Sequence, residues 1–97
     1  MPAYIIANVT VTDEDQMAAY RVWSSRAMAE HGATVLVRGG AVEVLEGDWR
    51  PDRVVVLQFP SAEAAKAFYH GQTYTHARSL REGAGVMRMV LVEGVPE

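Results

Sequence analysis

Four strongly polar side chains each interrupt an otherwise apolar stretch of this sequence. They are Asn8, Arg38, Gln58 and Arg88, and each lies in a different predicted strand. Side chains alternate between the two faces of a strand, so counting by twos places all four on one sheet face among Val, Ile and Leu. An apolar face with a few convergent polar groups is typical of a small-molecule cleft, and guanidinium groups suit carboxylates. The pattern predicts a cleft for a small anionic, partly apolar metabolite, with Arg38 and Arg88 on the anion.

A structural interpretation of the same four residues stays open. Arg38 and Arg88 could extend to solvent from edge strands or pair with nearby glutamates. Asn8 and Gln58 could satisfy each other at a subunit interface. Under this alternative the chain is a non-catalytic dimeric module, structural or stress-related, with no small-molecule substrate.

Five further residues are predicted to lie near the mouth of the cleft: Trp49, Arg53, Tyr74, His76 and Arg78. His76 is the candidate proton-transfer residue, because an imidazole titrates near neutral pH. Trp49 lies in a loop between two turn signals, where an indole usually folds back onto the core or a partner. Its alternative role is a lid over the cleft.

The remaining reactive residue types match no established catalytic motif. The chain has no cysteine, which excludes disulfides and thiolate metal sites. His70 and His76 are six residues apart, whereas a helical metal pair needs a spacing of about four. No serine lies in a nucleophile elbow, and the glycines do not form a dinucleotide-binding fingerprint. We therefore expect no metal and no cofactor, and whether the protein is an enzyme stays open.

The elements that position these residues follow the order β-α-β-β-α-β. Runs rich in β-branched and aromatic residues predict strands at residues 4–11, 33–38, 53–59 and 86–92. The glycine pair after Arg38 indicates a bulge or bend, with extended structure resuming at residues 42–45. This order is the ferredoxin-like pattern, in which the first and third strands are central. The sequence predicts a single α+β domain over residues 1–97 with an antiparallel sheet.

Capping residues bound the predicted helices. Thr12, which precedes three acidic residues, is the expected N-cap of the first helix, and this helix stops at His31 and Gly32. Ser61 is the expected N-cap of the second helix. Further helical turns are predicted at residues 74–82.

The predicted strands are apolar at nearly every position, as residues 54–57 illustrate. Such runs indicate that both sheet faces are covered, yet two helices cover only one. A chain of 97 residues without cysteine also gains from support beyond its own core. We therefore expect a homodimer in which a second copy covers the other face. The same counting places Val55 under the helices, so Val55→Asp should unfold the protein.

Charge and hydropathy exclude several classes of partner. The net charge is −3 and the pI is near 5.6, so neither nucleic acid nor an anionic membrane is an expected partner. No secretory signal precedes the first strand, and no apolar run approaches the roughly 20 residues of a membrane span. These features favour a cytoplasmic protein.

Three blocks of the sequence together resemble a known family. They read LVRGG at residues 36–40, EVLEGDWRP at residues 43–51 and VVVLQFPS at residues 54–61, and weaker similarity continues to Gly94. These blocks are similar to the family called domain of unknown function 1330 (DUF1330), and the similarity covers essentially the whole chain.

The resemblance implies a dimeric α/β-barrel fold, in which two ferredoxin-like sheets face each other. The wider superfamily includes cofactor-free monooxygenases, muconolactone-type isomerases, haem-dependent enzymes and stress-responsive proteins. The family itself has no settled activity, so the resemblance assigns no catalytic residue. Fold does not fix function, and the site must be argued from its own geometry.

Overall fold

Four strands form a single antiparallel sheet in the computed structural model, which describes residues 1–96. They are β1 (Ala3–Val11), β2 (Thr34–Arg38), β3 (Arg53–Phe59) and β4 (Gly85–Glu93), and their order across the sheet is β2-β3-β1-β4. The first and third strands are central, as the sequence predicts. Residues 42–45, where extended structure is expected to resume, are not part of any strand. The chain leaves the sheet after Arg38, where Gly39 adopts a φ of 69° that glycine tolerates best.

Three helices pack against one face of this sheet: α1 (Glu14–Glu30), α2 (Ala62–His70) and α3 (Gln72–Leu80). The N-cap of α1 is Asp13 and not Thr12, because the Asp13 carboxylate accepts a hydrogen bond from the backbone N–H of Gln16 at 3.0 Å. The N–H of Thr12 instead donates to the carbonyl of Ala84. Ser61 caps α2 as predicted, with its hydroxyl oxygen 3.1 Å from the N–H of Ala64.

The core lies between the helices and the sheet. Alternate residues of the central strands are buried there, including Ile5 and Leu57, which confirms the predicted alternation for β1 and β3. Phe59, Phe68 and Tyr74 are the largest fully buried side chains. The Phe68 ring centroid lies 5.2 Å from that of Phe59 and 4.5 Å from that of Tyr74. Burying each such ring stabilises the fold by roughly 1.5–3 kcal/mol.

A β-bulge in β2 changes which face its last residues occupy. Val35 pairs with Leu57, but the next paired residue is Val37, which lies opposite Val56. Leu36 is therefore one extra residue on this strand. Because side chains alternate with a period of two, the extra residue exchanges the faces of every position that follows it.

The sheet face opposite the helices, here called the open face, carries exposed apolar side chains. Its central row consists of Val56, Ile6 and Val90, which lie opposite one another on β3, β1 and β4. Val90 is 57% exposed. Residues 40–52, here called the arm, extend from the sheet between β2 and β3, and residues 40–50 are all exposed. None of the helices within residues 1–96 has the length and apolar composition that a membrane span requires.

Candidate functional site

A cavity of about 140 Å³ lies between α1 and the helix-facing side of the sheet. An engineered cavity of about 150 Å³ in another protein admits benzene, so this cavity has room for one six-membered ring. Aliphatic, methionine and aromatic side chains form most of its wall. The polar members of the lining are Tyr20, Arg21, Ser24, Ser25, Arg38, Arg53 and Tyr74.

Arginines surround the opening of this cavity. Arg38 is exposed and Arg53 is half-buried, whereas most of the apolar lining is buried. Arg21 forms an ion pair with Glu14. The hydrogen bond that Arg21 donates in this pair lowers the pKa of Glu14 below its ordinary value, and the charge of Arg53 also lowers it.

Neither Arg38 nor Arg53 forms an ion pair with any of residues 1–96, where Arg21–Glu14 is the one such pair. A guanidinium remains charged at every physiological pH. The opening therefore carries three guanidinium groups, and the Glu14 carboxylate balances the charge of only one of them.

Gly39 leaves room for the Arg53 side chain. The N–H of Gly39 donates to the carbonyl of Val54 at 2.8 Å, which keeps the root of the arm against β3. The Arg53 side chain then crosses the α-carbon of Gly39, where no other residue type would leave room for it. The missing side chain at Gly39 thus makes room for a cation at the cavity opening.

Two tyrosine hydroxyls lie at the buried end of the cavity. The hydroxyl oxygens of Tyr20 and Tyr74 are 2.7 Å apart, and their rings meet edge to face. Burial raises the pKa of Tyr20 above its ordinary value, and the neighbouring Tyr74 reinforces the shift. The Tyr20 hydroxyl is therefore protonated at neutral pH and serves as a hydrogen-bond donor rather than a base.

The structure places Arg38 on the opposite face from the one predicted. Counting by twos assigns it to the open face, but the bulge at Leu36 shifts the count by one. Arg38 lies opposite Val55 and lines the cavity on the helix-facing side. Arg53 also lines this cavity, and Tyr74 lies at its buried end rather than at its mouth.

The other three polar strand residues stay on the open face and do not converge with Arg38. Asn8 lies opposite Arg88, whereas Gln58 lies opposite Tyr4, which precedes Asn8 by four residues on β1. At about 3.3 Å per residue that separation is roughly 13 Å. Asn8 accepts a hydrogen bond from the N–H of Asp52 at 3.1 Å, which anchors the end of the arm. The predicted single cavity containing all four side chains is therefore wrong.

Three further predicted residues lie outside the cavity lining. Trp49 is 66% exposed on the arm. The exposed His76 packs its ring edge to face against Trp23, with centroids 4.5 Å apart. Arg78 stacks on the ring of Tyr69 and donates to its hydroxyl at 3.2 Å. Their roles in ligand binding or catalysis stay predictions.

Sequence reasoning missed the polar residues that α1 contributes to the cavity. Tyr20 and Ser24 are four residues apart, in the stripe of α1 that faces the core together with Met17 and Ala27. The available signal was a hydroxyl at two successive positions of a stripe that is otherwise apolar. Within residues 1–96, no three His, Asp or Glu side chains come together as a metal-binding group.

The fold defines the class of protein, and comparison with known proteins defines the family. A structure of a protein of unknown function from Rhodopseudomonas palustris is 22% identical, with a TM-score of 0.76 over 99% of this chain and 84% of that chain. A dimeric ferredoxin-like protein of unknown function from Jannaschia sp. is 13% identical, with a TM-score of 0.73 over 97% of this chain and 100% of that chain. These similarities show a ferredoxin-like fold.

A cofactor-independent oxygenase from Streptomyces nogalater shares the fold at greater distance. It is 11% identical, with a TM-score of 0.59 over 99% of this chain and 95% of that chain. Among curated proteins, none matches this chain. The family model called Domain of unknown function (DUF1330) matches residues 2–95, so the chain belongs to that family.

Proposed function

We propose that the protein binds a small anionic, partly apolar organic molecule in the cavity between α1 and the sheet. The apolar part of the ligand fills the cavity, and its carboxylate lies at the opening on Arg38 and Arg53. The observation that carries the proposal is the pair of arginines without acidic partners at the opening of an apolar cavity.

Electrostatics favour an anion at this opening. Positive charge beside a low-dielectric cavity is unfavourable unless a counter-charge or water balances it. A carboxylate supplies that charge and accepts the parallel N–H donors of a guanidinium. Loss of one charge-assisted hydrogen bond costs roughly 1.5–3 kcal/mol, which corresponds to about a 10- to 150-fold weaker affinity.

Transformation of the bound molecule without a cofactor, by a monooxygenase- or isomerase-like reaction, extends this proposal. Its support is the fold shared with the cofactor-independent oxygenase from Streptomyces nogalater. Incubation of the protein with a bound ligand in air, followed by mass spectrometry, distinguishes an enzyme from a binding protein. A product that carries added oxygen or an isomerised skeleton would indicate turnover.

Benzoate is the test ligand, because its ring matches the cavity and its carboxylate matches the arginines. Isothermal titration calorimetry should detect saturable binding of benzoate and much weaker binding of neutral benzyl alcohol. Arg38→Ala and Arg53→Ala should each weaken benzoate binding by about 10-fold or more. Arg26→Ala, on the exposed surface of α1 and outside the cavity lining, is the matched control.

Arg88→Ala tests the other face of the sheet with the same substitution. If Arg88→Ala weakens benzoate binding and the two cavity arginines do not matter, the ligand lies on the open face and the proposal is wrong. Equal affinity for benzoate and benzyl alcohol would also contradict it, because the arginines would then contribute no selectivity for an anion.

We further infer that a second copy of the chain covers the open face, independently of any ligand. Three observations support this assembly. The apolar row on the open face ends at the exposed Val90, and the arm carries the exposed Leu45 and Trp49. The similar protein from Jannaschia sp. is dimeric. Burying aromatic and aliphatic side chains of this kind is the main source of stability in obligate dimers. A dimer that binds none of the small acids would favour the non-catalytic alternative.

A further inference from the structure

The two tyrosine hydroxyls at the buried end of the cavity carry two protons but have a good hydrogen-bond acceptor for only one of them. Tyr20 and Tyr74 share a single hydrogen bond of 2.7 Å, in which either oxygen can be the donor. One of the two protons fills that bond. The second proton must be donated elsewhere, because the two side chains are only 7% and 1% exposed to solvent.

The acceptors available to this second proton are poor. If Tyr74 donates to Tyr20, the proton of Tyr20 points toward the sulfur of Met87, and the oxygen–sulfur distance is 3.9 Å. A thioether is a weak acceptor. If Tyr20 donates to Tyr74, the proton of Tyr74 has no acceptor among residues 1–96. Ser24 lies close enough to act on Tyr20 as a donor, which opposes the rise in the pKa of Tyr20, and its hydroxyl also donates to the carbonyl of Arg21 at 3.3 Å. In both directions Ser24 supplies a proton, so it is not the acceptor that the second tyrosine proton lacks.

We propose that the ligand carries an acceptor oxygen at the end opposite its carboxylate, and that the Tyr20–Tyr74 pair donates a hydrogen bond to that oxygen. This inference rests on the proposed function and narrows its substrate class. The buried tyrosines and the more exposed arginines line the same cavity, whose volume admits one six-membered ring. The preferred ligands are therefore small cyclic or unsaturated carboxylic acids that bear a carbonyl or hydroxyl oxygen at the far end.

The buried position of the pair makes it selective for ligands that carry an acceptor. A site built to hydrogen-bond a polar atom discriminates against an analogue that lacks the atom, because the buried partner is then left unsatisfied. An apolar group of the same size would fill the same volume but leave the second proton without an acceptor. The tyrosine pair thus selects ligands that carry a hydrogen-bond acceptor, whereas the apolar wall selects only by shape.

Two probes of nearly the same shape test the inference: 4-formylbenzoate, which has an acceptor oxygen, and 4-vinylbenzoate, which has a CH2 group in its place. Calorimetry on the wild-type protein should give an affinity for 4-formylbenzoate that is about 3- to 10-fold higher. Tyr20→Phe and Tyr74→Phe should each bring the ratio of the two affinities closer to one. Tyr4→Phe, which makes the same change on the open face, should leave the preference intact, and thermal melts should establish that each variant is folded.

The outcomes separate this inference from the proposed function. If both probes bind equally and both depend on Arg53, the carboxylate site stands and the acceptor inference is overturned. If the preference survives in both phenylalanine variants, or is lost only in Ser24→Ala, the tyrosine pair is not the donor and the inference is overturned. If neither probe nor benzoate binds, the proposed function itself fails.

Discussion

The guanidinium group of Arg53 lies directly against the α-carbon of Gly39. A β-carbon added at Gly39 would come within 2.5 Å of the Nε atom of Arg53, far closer than real β-carbons approach other atoms. Gly39 also has a φ of 69°, which is unfavourable for other residues. The same glycine thus ends β2 and makes room for a cation at the cavity.

Gly39→Ala should weaken benzoate binding as well as stability. The positive φ alone should cost roughly 1–2 kcal/mol, and the new methyl group should displace Arg53 from the opening. Gly47→Ala is the matched control, because Gly47 has a φ of 82° but no atom near the position of a new β-carbon. Urea unfolding and calorimetry on both variants should show similar losses of stability but weaker binding only in Gly39→Ala. Equal binding by the two variants would show that Arg53 does not need this glycine.

Val55→Asp should fold and lose anion binding, whereas Leu57→Asp should unfold. Val55 is half-buried, lies opposite Arg38, and is two residues from Arg53 on the same face. A carboxylate at this position would meet both cations and occupy the place proposed for the ligand. This neighbourhood reverses the expectation, drawn from strand alternation alone, that Val55→Asp unfolds the protein.

Leu57 offers no such compensation, because it is 4% exposed and lies between Ile5 and Val35. An unpaired charge there should cost several kcal/mol, comparable with the whole stability of a small domain. Circular dichroism melts of the two variants, followed by benzoate titration of Val55→Asp, measure both effects. If Val55→Asp proves as unfolded as Leu57→Asp, the arginines do not neutralise a charge at this position.

The buried Tyr20 should make the protein less stable at alkaline pH. Its pKa in the folded protein is raised above the ordinary value of 10.0. Above about pH 10 the unfolded chain therefore releases a proton that the folded protein retains, and the free energy of unfolding falls by up to about 1.4 kcal/mol per pH unit. Below that pH this contribution is fully present.

Urea unfolding from about pH 8 to about pH 11 should show this decline in the wild-type protein and a shallower one in Tyr20→Phe. Tyr4→Phe, which removes one tyrosine hydroxyl from the open face, is the matched control. Identical pH profiles for the wild-type protein and Tyr20→Phe would show that Tyr20 does not contribute to the alkaline instability.

Val90→Glu should convert the proposed dimer into a folded monomer. Val90 is 57% exposed in the single chain, so a glutamate there is solvated and the fold itself should tolerate it. In a dimer that buries the open face, the same carboxylate would be desolvated without a partner. Sedimentation velocity at micromolar concentration should show a dimer for the wild-type protein and for Val22→Glu, a control on an exposed position of α1. A wild-type monomer would contradict the assembly.

The sequence was sufficient to predict the elements and their order, because caps and periodicity are local signals. Ser61 and the Arg53–Phe59 strand were predicted at the positions where the structure has them. Strand alternation also identified the helix-facing residues of both central strands. The N-cap of α1 was misplaced by one residue, since Thr12 and Asp13 are both good capping residues and it is the Asp13 carboxylate that accepts from the N–H of Gln16.

The candidate site was harder to predict, because its geometry depends on two non-local features. The extra residue Leu36 is recognisable only from the pairing of β2 with β3, and it moved Arg38 to the other face. The hydroxyl pair joins residues that are 54 positions apart in sequence, Tyr20 and Tyr74. No local sequence pattern predicts that two aromatic residues of the core will share a hydrogen bond.

The bulge in β2 has a consequence for how relatives are aligned. Arg38 occupies the cavity because it lies opposite Val55, not because of its distance from the start of β2. A relative that lacks the residue equivalent to Leu36 can keep its arginine opposite the same β3 position, with one fewer residue between the strand start and the arginine. An alignment without a gap would place that arginine in the column of Val37, and the relative would wrongly be taken to lack the cavity arginine. Homologues should therefore be compared through the partner on β3, and a single-residue deletion at Leu36 is expected to be neutral for the site.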